Sequence, residues 1–392
     1  MRKLSCDVCV VGAGPAGSMA AFEAAKGCEV LVLEKRTQIG IPKQCGEGLS
    51  EIVFKKLKIS LKEDWISHRV SFTRLISPSG IVIDLKDEVA RKQKYGLVLN
   101  RKNMDKGLAE MAADEGAEFL LRTMFLGAKR ENGEVRIRAK NFSEELEIKC
   151  KLVIAADGVM SRVARFFGIK TTLPLVHLEA CVQYEVTNFK TEDCVEIYFG
   201  SELAPGGYVW IFPKSENSAN VGLGVIPTKA KEKPLYYLKR FMKRERFRNA
   251  KIVEFNVGGV PVSGPIKKTY SDNLMIAGDA ARMVNPLTGG GIHTAMISGT
   301  YAGKVASKAL ERSDFSEEFL EKYQRLWRDD FGRALDVATK GERVLQKLTD
   351  KEIDEIANSL KEMNLGVVDT LGLLKAIVKL NPKLFLKLRG LL

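Results

Sequence analysis

The hexapeptide Gly12-Ala13-Gly14-Pro15-Ala16-Gly17 constrains this chain more than any other stretch. It follows an apolar run, residues 8–11, and opens a small-residue segment, 18–25. A second apolar run, 30–33, leads into Glu34, seventeen residues past Gly17. Strand, glycine turn, helix, strand and acid, in that order, form the dinucleotide-binding pattern. Gly12 allows the tight turn, Gly14 lets backbone approach a pyrophosphate, and Gly17 lets helix and strand pack closely. The helix start at Pro15 and Ala16 offers unpaired N–H groups and a positive dipole end to phosphates. The six-residue turn and Glu34 are therefore candidate contacts for an adenine dinucleotide. A glycine-rich turn in an ordinary α/β fold is the plainer alternative, and the second strand with its acid argues against it.

The same stretch settles what the N-terminus is for. Arg2 and Lys3 before an apolar run imitate a signal peptide, but cleavage would destroy the fingerprint, so no signal peptide is expected. No apolar run reaches about 18 residues, so no transmembrane helix is expected. The 392 residues are 45% hydrophobic, enough for a core and two or three substructures. The net charge of +13 fits either a soluble Lys/Glu-rich surface or attraction to an anion. With no nucleic-acid module in sight, an anionic membrane surface or a phosphate-bearing substrate is the expected anion. The seven cysteines lack zinc spacing, so no metal is expected, and their usage suits a reducing cytoplasm. Cys6 and Cys9 sit on a predicted strand, where residues three apart face opposite sides, so they read as structural thiols.

Further along, Cys45-Gly46-Glu47-Gly48 suggests a loop whose backbone runs close to a ligand, or an irregular connection. Strands are predicted at 70–76, 81–85, 96–99, 118–126 and 151–155, with a helix starting at Asn100 and a hairpin at Asn132-Gly133. Asp157-Gly158 follows a buried strand, and Ser161 reads as the N-cap of a helix. Between 176 and 226 the pattern turns to period-two alternation, the mark of an antiparallel sheet. There Tyr208, Trp210 and Phe212 share one face, either as core or as the wall of an apolar cavity. A basic helix is predicted at 234–248, a strand at 252–257, and a loop from Val260-Pro261. Then Gly278-Asp279 ends another apolar strand, and Gly289-Gly290-Gly291-Ile292 opens a long helix, a second anion or carbonyl-oxygen site. From Ser316 onward the chain reads as helical. Its last part places Lys375, Lys379, Lys383 and Lys387 opposite Leu373, Ile377, Leu380, Leu384 and Leu388. That stripe is a solvated helix face or a contact for anionic lipid.

Three dinucleotide signals thus lie far apart in the chain. An FAD extended across a sheet uses all three, because its ribityl chain and ring leave the first βαβ unit. Asp279 can accept from ribityl hydroxyls, and the N–H groups at Gly291 and Ile292 can face the flavin oxygen where charge gathers on reduction. This set resembles the para-hydroxybenzoate hydroxylase-like FAD flavoproteins. The resemblance implies that Glu34 binds the adenosine ribose, that Arg101 approaches the FAD phosphates, and that Phe125, Cys45, Gly46, Gly48, Asp157 and Gly290 line the cofactor. Met104 stands where that family usually has Phe. The run Pro205-x-x-Tyr208-x-Trp210-x-Phe212-Pro213-Lys214 with Gly222-x-Gly224 resembles the geranylgeranyl reductases, as do the Cys45 and Pro286-Leu287-Thr288-Gly289 stretches. Among them the archaeal digeranylgeranylglycerophospholipid reductases, which saturate isoprenoid chains of ether lipids, are the most similar by pattern. The expected fold is α/β: a Rossmann-type FAD-binding domain (1–70, 98–172 and 267–315), an antiparallel β-sheet substrate domain (71–97 and 173–266), and a C-terminal helical region (316–392).

An isolated alkene cannot absorb the electrons of an added hydride, so reduction needs a proton donor, a dry tunnel and reduced flavin together. Tyr208, Trp210 and Phe212 suit the tunnel. Cys45 is the candidate catalytic donor or positioning group, with Glu47 or a water as alternatives and a structural thiol as the plain reading. The resemblance implies an isoprenoid lipid substrate, a cytoplasmic enzyme peripheral to the membrane, and no nucleic-acid partner. It leaves the electron donor open between ferredoxin, a deazaflavin and NADPH. The competing readings are an FAD monooxygenase or halogenase of the same fold, and a flavin-free prenyl-binding carrier.

Overall fold

The computed structural model describes residues 1–85 and 96–362. Three strands, Val8–Val11, Val30–Leu33 and Leu152–Ala155, are buried along their whole length. They pair in parallel at the centre of a six-stranded sheet, flanked by Glu118–Leu120 on one side and Leu274–Ile276 then Tyr270–Ser271 on the other. A parallel sheet covered on both faces needs continuous apolar strands, and these sequences are continuous Val, Leu, Ile and Ala. Each central strand ends at a predicted signal: the Gly12 turn, Glu34 and Asp157. Two helices, Pro15–Ala24 and Ile292–Arg312, lie against each other beside this sheet. Their backbones touch because a Cβ on Gly299 would collide with the Ala16 carbonyl, and one on Gly303 with that of Ala20. The start of the first helix is thereby packed on the middle of the second, whose own N-terminus reaches past it.

The alternating segment builds a seven-stranded sheet. Its order is Lys251–Pro261, Leu178–Thr187, Ser218–Val225, Val209–Ser215, Cys194–Tyr198, Phe72–Ile76 and Val82–Leu85. All neighbours are antiparallel except Cys194–Tyr198 with Phe72–Ile76, which run parallel. One face buries Val182, Tyr184, Val186, Leu223 and Phe241, the last from the covering helix Pro234–Phe241. The opposite face carries Glu179, Cys181 and Gln183, two-residue steps along one strand.

Several local expectations change. The single strand expected at 70–76 is two, Ile66–Val70 and Phe72–Ile76, in different sheets. Ser71 breaks them, its N–H donating to Asp193. Ser161 caps nothing: Asp157 accepts from the N–H groups of Arg162 and Val163 and starts a short 3-10 turn, Val163–Phe167. An acid at the strand end reaches those N–H groups before Ser161 can. The strand after 251 runs through Pro261 instead of ending in a loop. Cys6 lies between strands, so it escapes the alternation rule, and its thiol meets Cys150 and Cys9. Hydrogen bonds from those two thiols, Cys150 first, hold the Cys6 thiol below its usual range. Among the described residues no group of acids, His and Cys is placed to hold a metal ion.

After the Ile292–Arg312 helix come Glu317–Trp327, Arg333–Leu345 and Asp350–Glu362. Among the described residues no helix is long and apolar enough to cross a membrane. The Lys375, Lys379, Lys383 and Lys387 stripe lies outside the described residues.

Candidate active site

The glycine turn shows why its residue types are needed. Gly12 sits at φ +104°, and a Cβ there would collide with the Ala156 carbonyl. A Cβ on Gly17 would run into the Gly12 carbonyl itself. Gly14 differs, since a Cβ built on it meets no atom within 4 Å. Glu34 is buried and holds the turn from outside. One carboxylate oxygen accepts the Ala13 N–H at 2.9 Å and the other the Arg36 N–H at 2.9 Å. Phe125 lies on the strand whose Thr123 N–H donates to the Glu34 carbonyl, packed edge-on against Phe166. Asp157 uses only Oδ2 in its cap; Oδ1 is buried with no partner among the described residues. Among the described residues no side chain caps the Pro15–Ala24 helix. Free helix N–H groups, clear space over Gly14 and an unpaired carboxylate oxygen fit a bound dinucleotide.

Arg101 opens a helix, Arg101–Asp114, capped by Asn100. Its guanidinium is gripped by both oxygens of Asp105, each at 2.8 Å, and lies beside the Cys45 sulfur. Burial raises the Asp279 carboxyl, and Arg101 opposes that rise. Asp279 is packed near Gly291, the N-cap of the Ile292–Arg312 helix, which has no capping side chain. The Gly290 N–H donates to Thr288 Oγ1 at 3.3 Å. Arg101, Cys45, Asp279 and the start of the second helix therefore surround one region, beyond the N-terminal end of the first helix, where Gly278 packs on Ala16.

The seven-stranded sheet closes that region with a face of rings, glycines and polar groups. Ring centroids step from Tyr208 to Trp210 at 6.0 Å and on to Phe212 at 6.4 Å. Trp210 crosses Gly222, where a Cβ would come within 2.5 Å of its ring. Its Nε1 donates to Gln183 at 2.8 Å, and Gln183 donates to the Cys45 carbonyl at 3.2 Å. Tyr208 donates to the Thr288 carbonyl at 2.6 Å, which ties the sheet to the second glycine turn. Gly46 and Gly48 lie flat on Phe212, whose ring atoms a Cβ would approach within 2.9 and 3.0 Å. The glycines of this loop are thus explained by the aromatic ring beneath them.

Glu47, between those glycines, is the anchor. It is 1% exposed, with φ +77°. Its carboxylate accepts from Lys214 at 2.5 Å, Asn220 at 2.7 Å and the Arg101 N–H at 2.9 Å, with Lys43 at 3.3 Å. Burial alone would raise this carboxyl, but Lys214 and Lys43 outweigh it and hold it below the usual carboxylate range. Glu47 is therefore an anion near neutral pH and has no proton to give. Its anchoring role was not visible in the sequence, nor were Lys43, Gln183 and Asn220. One signal existed for Gln183: in the run 178–187 the alternate positions Glu179, Cys181, Gln183 and Glu185 are polar or thiol, yet the strand has a neighbour on each side.

A two-helix cradle at the ends of a parallel sheet, joined to an antiparallel sheet over its far end, defines an FAD-dependent oxidoreductase. The family model for FAD dependent oxidoreductase matches residues 7–196, and that for the geranylgeranyl reductase catalytic domain matches 177–260. A digeranylgeranylglycerophospholipid reductase of Methanosarcina acetivorans is 43% identical, over 98% of this chain and 96% of its own length. The chain belongs to the digeranylgeranylglycerophospholipid reductase family of geranylgeranyl reductases. A solved geranylgeranyl bacteriochlorophyll reductase-like protein of Thermoplasma acidophilum superposes with a TM-score of 0.94 at 35% identity, over 100% of both chains. A flavin-dependent brominase shares the fold, with a TM-score of 0.71 at 18% identity over 98% of this chain and 100% of its own. At that distance the likeness is one of fold alone.

Proposed function

We propose that this protein saturates the C=C bonds of geranylgeranyl chains on archaeal ether phospholipids. The observation that carries the reading is the aromatic face of Tyr208, Trp210 and Phe212, closed by the Cys45–Gly48 loop and tied to the second glycine turn. Such a wall can hold an isoprenoid chain away from water. FAD, when bound, supplies the hydride. Gly12, Gly14, Pro15, Ala16, Gly17, Glu34, Phe125 and Asp157 hold its adenosine and pyrophosphate end. Arg101, Asp279, Gly290, Gly291 and Ile292 hold the ribityl and ring end. Cys45, between Arg101 and Gln183, lines the space where the alkene lies.

The lipid reaches the site from a membrane surface in this reading. The net charge of +13 favours anionic headgroups. The edge strand Lys251–Pro261 exposes Ile252, Phe255 and Val257, which pair with Val186, Tyr184 and Val182 across a register shift and so share one face that can enter an apolar boundary. The experiment is anaerobic. The bound flavin is reduced with dithionite, an unsaturated archaeal ether lipid is added, and flavin absorbance and lipid mass are followed. Flavin reoxidation with a lipid mass gain of two hydrogens per bond is expected. Flavin that stays reduced with every such lipid would end the proposal.

A further inference from the structure

We propose that Glu179 is the acid that protonates the alkene, a reading that rests on the lipid reduction proposed above. Glu179 lies on the same face of its strand as Cys181 and Gln183, the latter already bonded to the Cys45 loop and to Trp210. Its side chain lies across two glycines of the aromatic segment and the Gly222-x-Gly224 pair. A Cβ on Gly224 would come within 2.7 Å of its carboxyl carbon, and one on Gly207 would collide with its Oε1. These glycines therefore make room for a carboxyl group, one row along the sheet from where Gly222 makes room for Trp210.

The groups around Glu179 suit a proton donor. Cys181 faces it from its own strand and Tyr208 from the aromatic segment, with Cys45 beyond both. Glu342 faces it from the Arg333–Leu345 helix, and Lys229 and Arg343 face Glu342. Among the described residues no cation pairs with Glu179 itself. Burial, and then the nearby Glu342, push its carboxyl up to about 8. It is thus an uncharged acid near neutral pH, whereas Glu47 in the same site is an anion. The contrast follows from partners: two lysines beside one carboxyl, a second carboxyl beside the other.

The step balances. The alkene carbon gains the Glu179 proton, the adjacent carbon gains a hydride from reduced FAD, and the C=C π bond is lost. The flavin is oxidised by two electrons, the lipid is reduced by two, and Glu179 is left as carboxylate. A cleft of about 600 Å³ whose lining includes Gly206, Gly207, Lys229 and Gln346 reaches Gly207, the glycine beneath the Glu179 carboxyl, and in this proposal its water returns the proton.

The test uses the FAD-loaded protein and Glu179→Gln, which keeps the shape and removes the acid. Carboxylic-acid infrared bands are recorded first, without lipid, across a pH titration. The wild type is expected to show a protonated carboxyl that ionises near pH 8 and is missing from the variant. Reoxidation of dithionite-reduced flavin by the ether lipid is then timed against pH. The wild-type rate is expected to fall as pH rises through about 8. Glu179→Gln is expected to slow it by about 100-fold or more and to abolish that limb, with FAD content unchanged. A variant within a few-fold of wild type, with the same limb, overturns the assignment. So does a limb that moves only in Cys45→Ser. If Glu179→Gln does not accumulate, the infrared titration of wild type carrying isotope-labelled glutamate decides, and no carboxyl titrating above the usual range overturns it. Failure of the wild type itself to react with lipid sinks the lipid reading, whereas a reactive wild type with an equally reactive variant sinks only this one.

Discussion

The six-stranded sheet meets its site with backbone, and the seven-stranded sheet meets it with side chains. At the first, strands buried on both faces end in turns where even a Cβ is excluded, as at Gly12 and Gly17. At the second, glycines exist to seat neighbours: Trp210 over Gly222, Glu179 over Gly224, Phe212 under Gly46 and Gly48. The same residue type thus does opposite work. In one region a glycine clears space for backbone; in the other it clears space for a neighbouring side chain. Gly12 and Gly17 should therefore fail abruptly on substitution, and the second region by degrees.

The largest expected effect is at Gly17. Glycine to valine there drives a branched side chain into the Gly12 carbonyl. Neither partner is a flexible side-chain end, so the cost exceeds the ~1–3 kcal/mol of ordinary overpacking. Denaturant unfolding of the FAD-free protein should show a loss above about 3 kcal/mol, or no folded protein. A smaller loss would mean that the turn and helix can separate, and the abrupt failure expected of this region would be wrong.

Glu47→Gln tests the second region at its most buried charge. It leaves Lys214 and Lys43 facing a neutral amide, and removing one partner of a buried pair costs about 3–5 kcal/mol. Lys43 keeps Glu185 at 2.6 Å, so the lower end is expected. The sign with pH follows from a carboxyl held below its ordinary value of 4.5. Its stabilisation is fully present above about 4.5 and is lost as pH falls through the depressed value. Denaturation curves of the two proteins should converge in acid, and a constant gap across that window would show that Glu47 acts through shape alone.

Gly222→Ala is milder. Its Cβ would approach the Trp210 ring at 2.5 Å and the Val182 carbonyl at 2.8 Å. The ring can tilt, so about 1–3 kcal/mol is expected, with the bond from Trp210 to Gln183 strained or lost. A red shift of tryptophan fluorescence in the folded variant would report it.

These contrasts explain what could be read in advance. The turn at Gly12 to Gly17 is legible because its constraints are local: a strand, a tight bend and a helix start within one short segment. Asp157 and Asp279 are legible for the same reason, each ending a buried strand. Glu47 is different. Of its partners only Lys43 is near in sequence, and a lysine four residues off in an irregular loop does not by itself separate an ion-paired anchor from a proton donor; Arg101, Lys214 and Asn220 lie 54, 167 and 173 residues away. Glu179 is hidden likewise, because Gly207, Gly224 and Glu342 come together only when the sheet forms and the Arg333–Leu345 helix packs behind it. Strand 70–76 splits for a tertiary reason too, since Ser71 bonds to Asp193 of a distant segment.

The smallest effect on the fold is also the one that separates the two kinds of glycine. Gly14 has no atom within 4 Å of a built Cβ, and its φ is −75°, which alanine adopts without strain. As the N-cap of the Pro15–Ala24 helix it gives no side-chain hydrogen bond to lose. Alanine there should change the stability of the FAD-free protein by less than about 0.5 kcal/mol. Yet in the proposed FAD pose the space over Gly14 is where the pyrophosphate would approach free helix N–H groups, and a methyl there would hold it off. Titration of the FAD-free variant with FAD should show affinity reduced by roughly 10-fold or more, about 1.4 kcal/mol, beside an unchanged unfolding curve. Unchanged affinity would put the pyrophosphate elsewhere on the turn. A loss of both together would mean that Gly14, like Gly17, is needed by the protein before any ligand arrives.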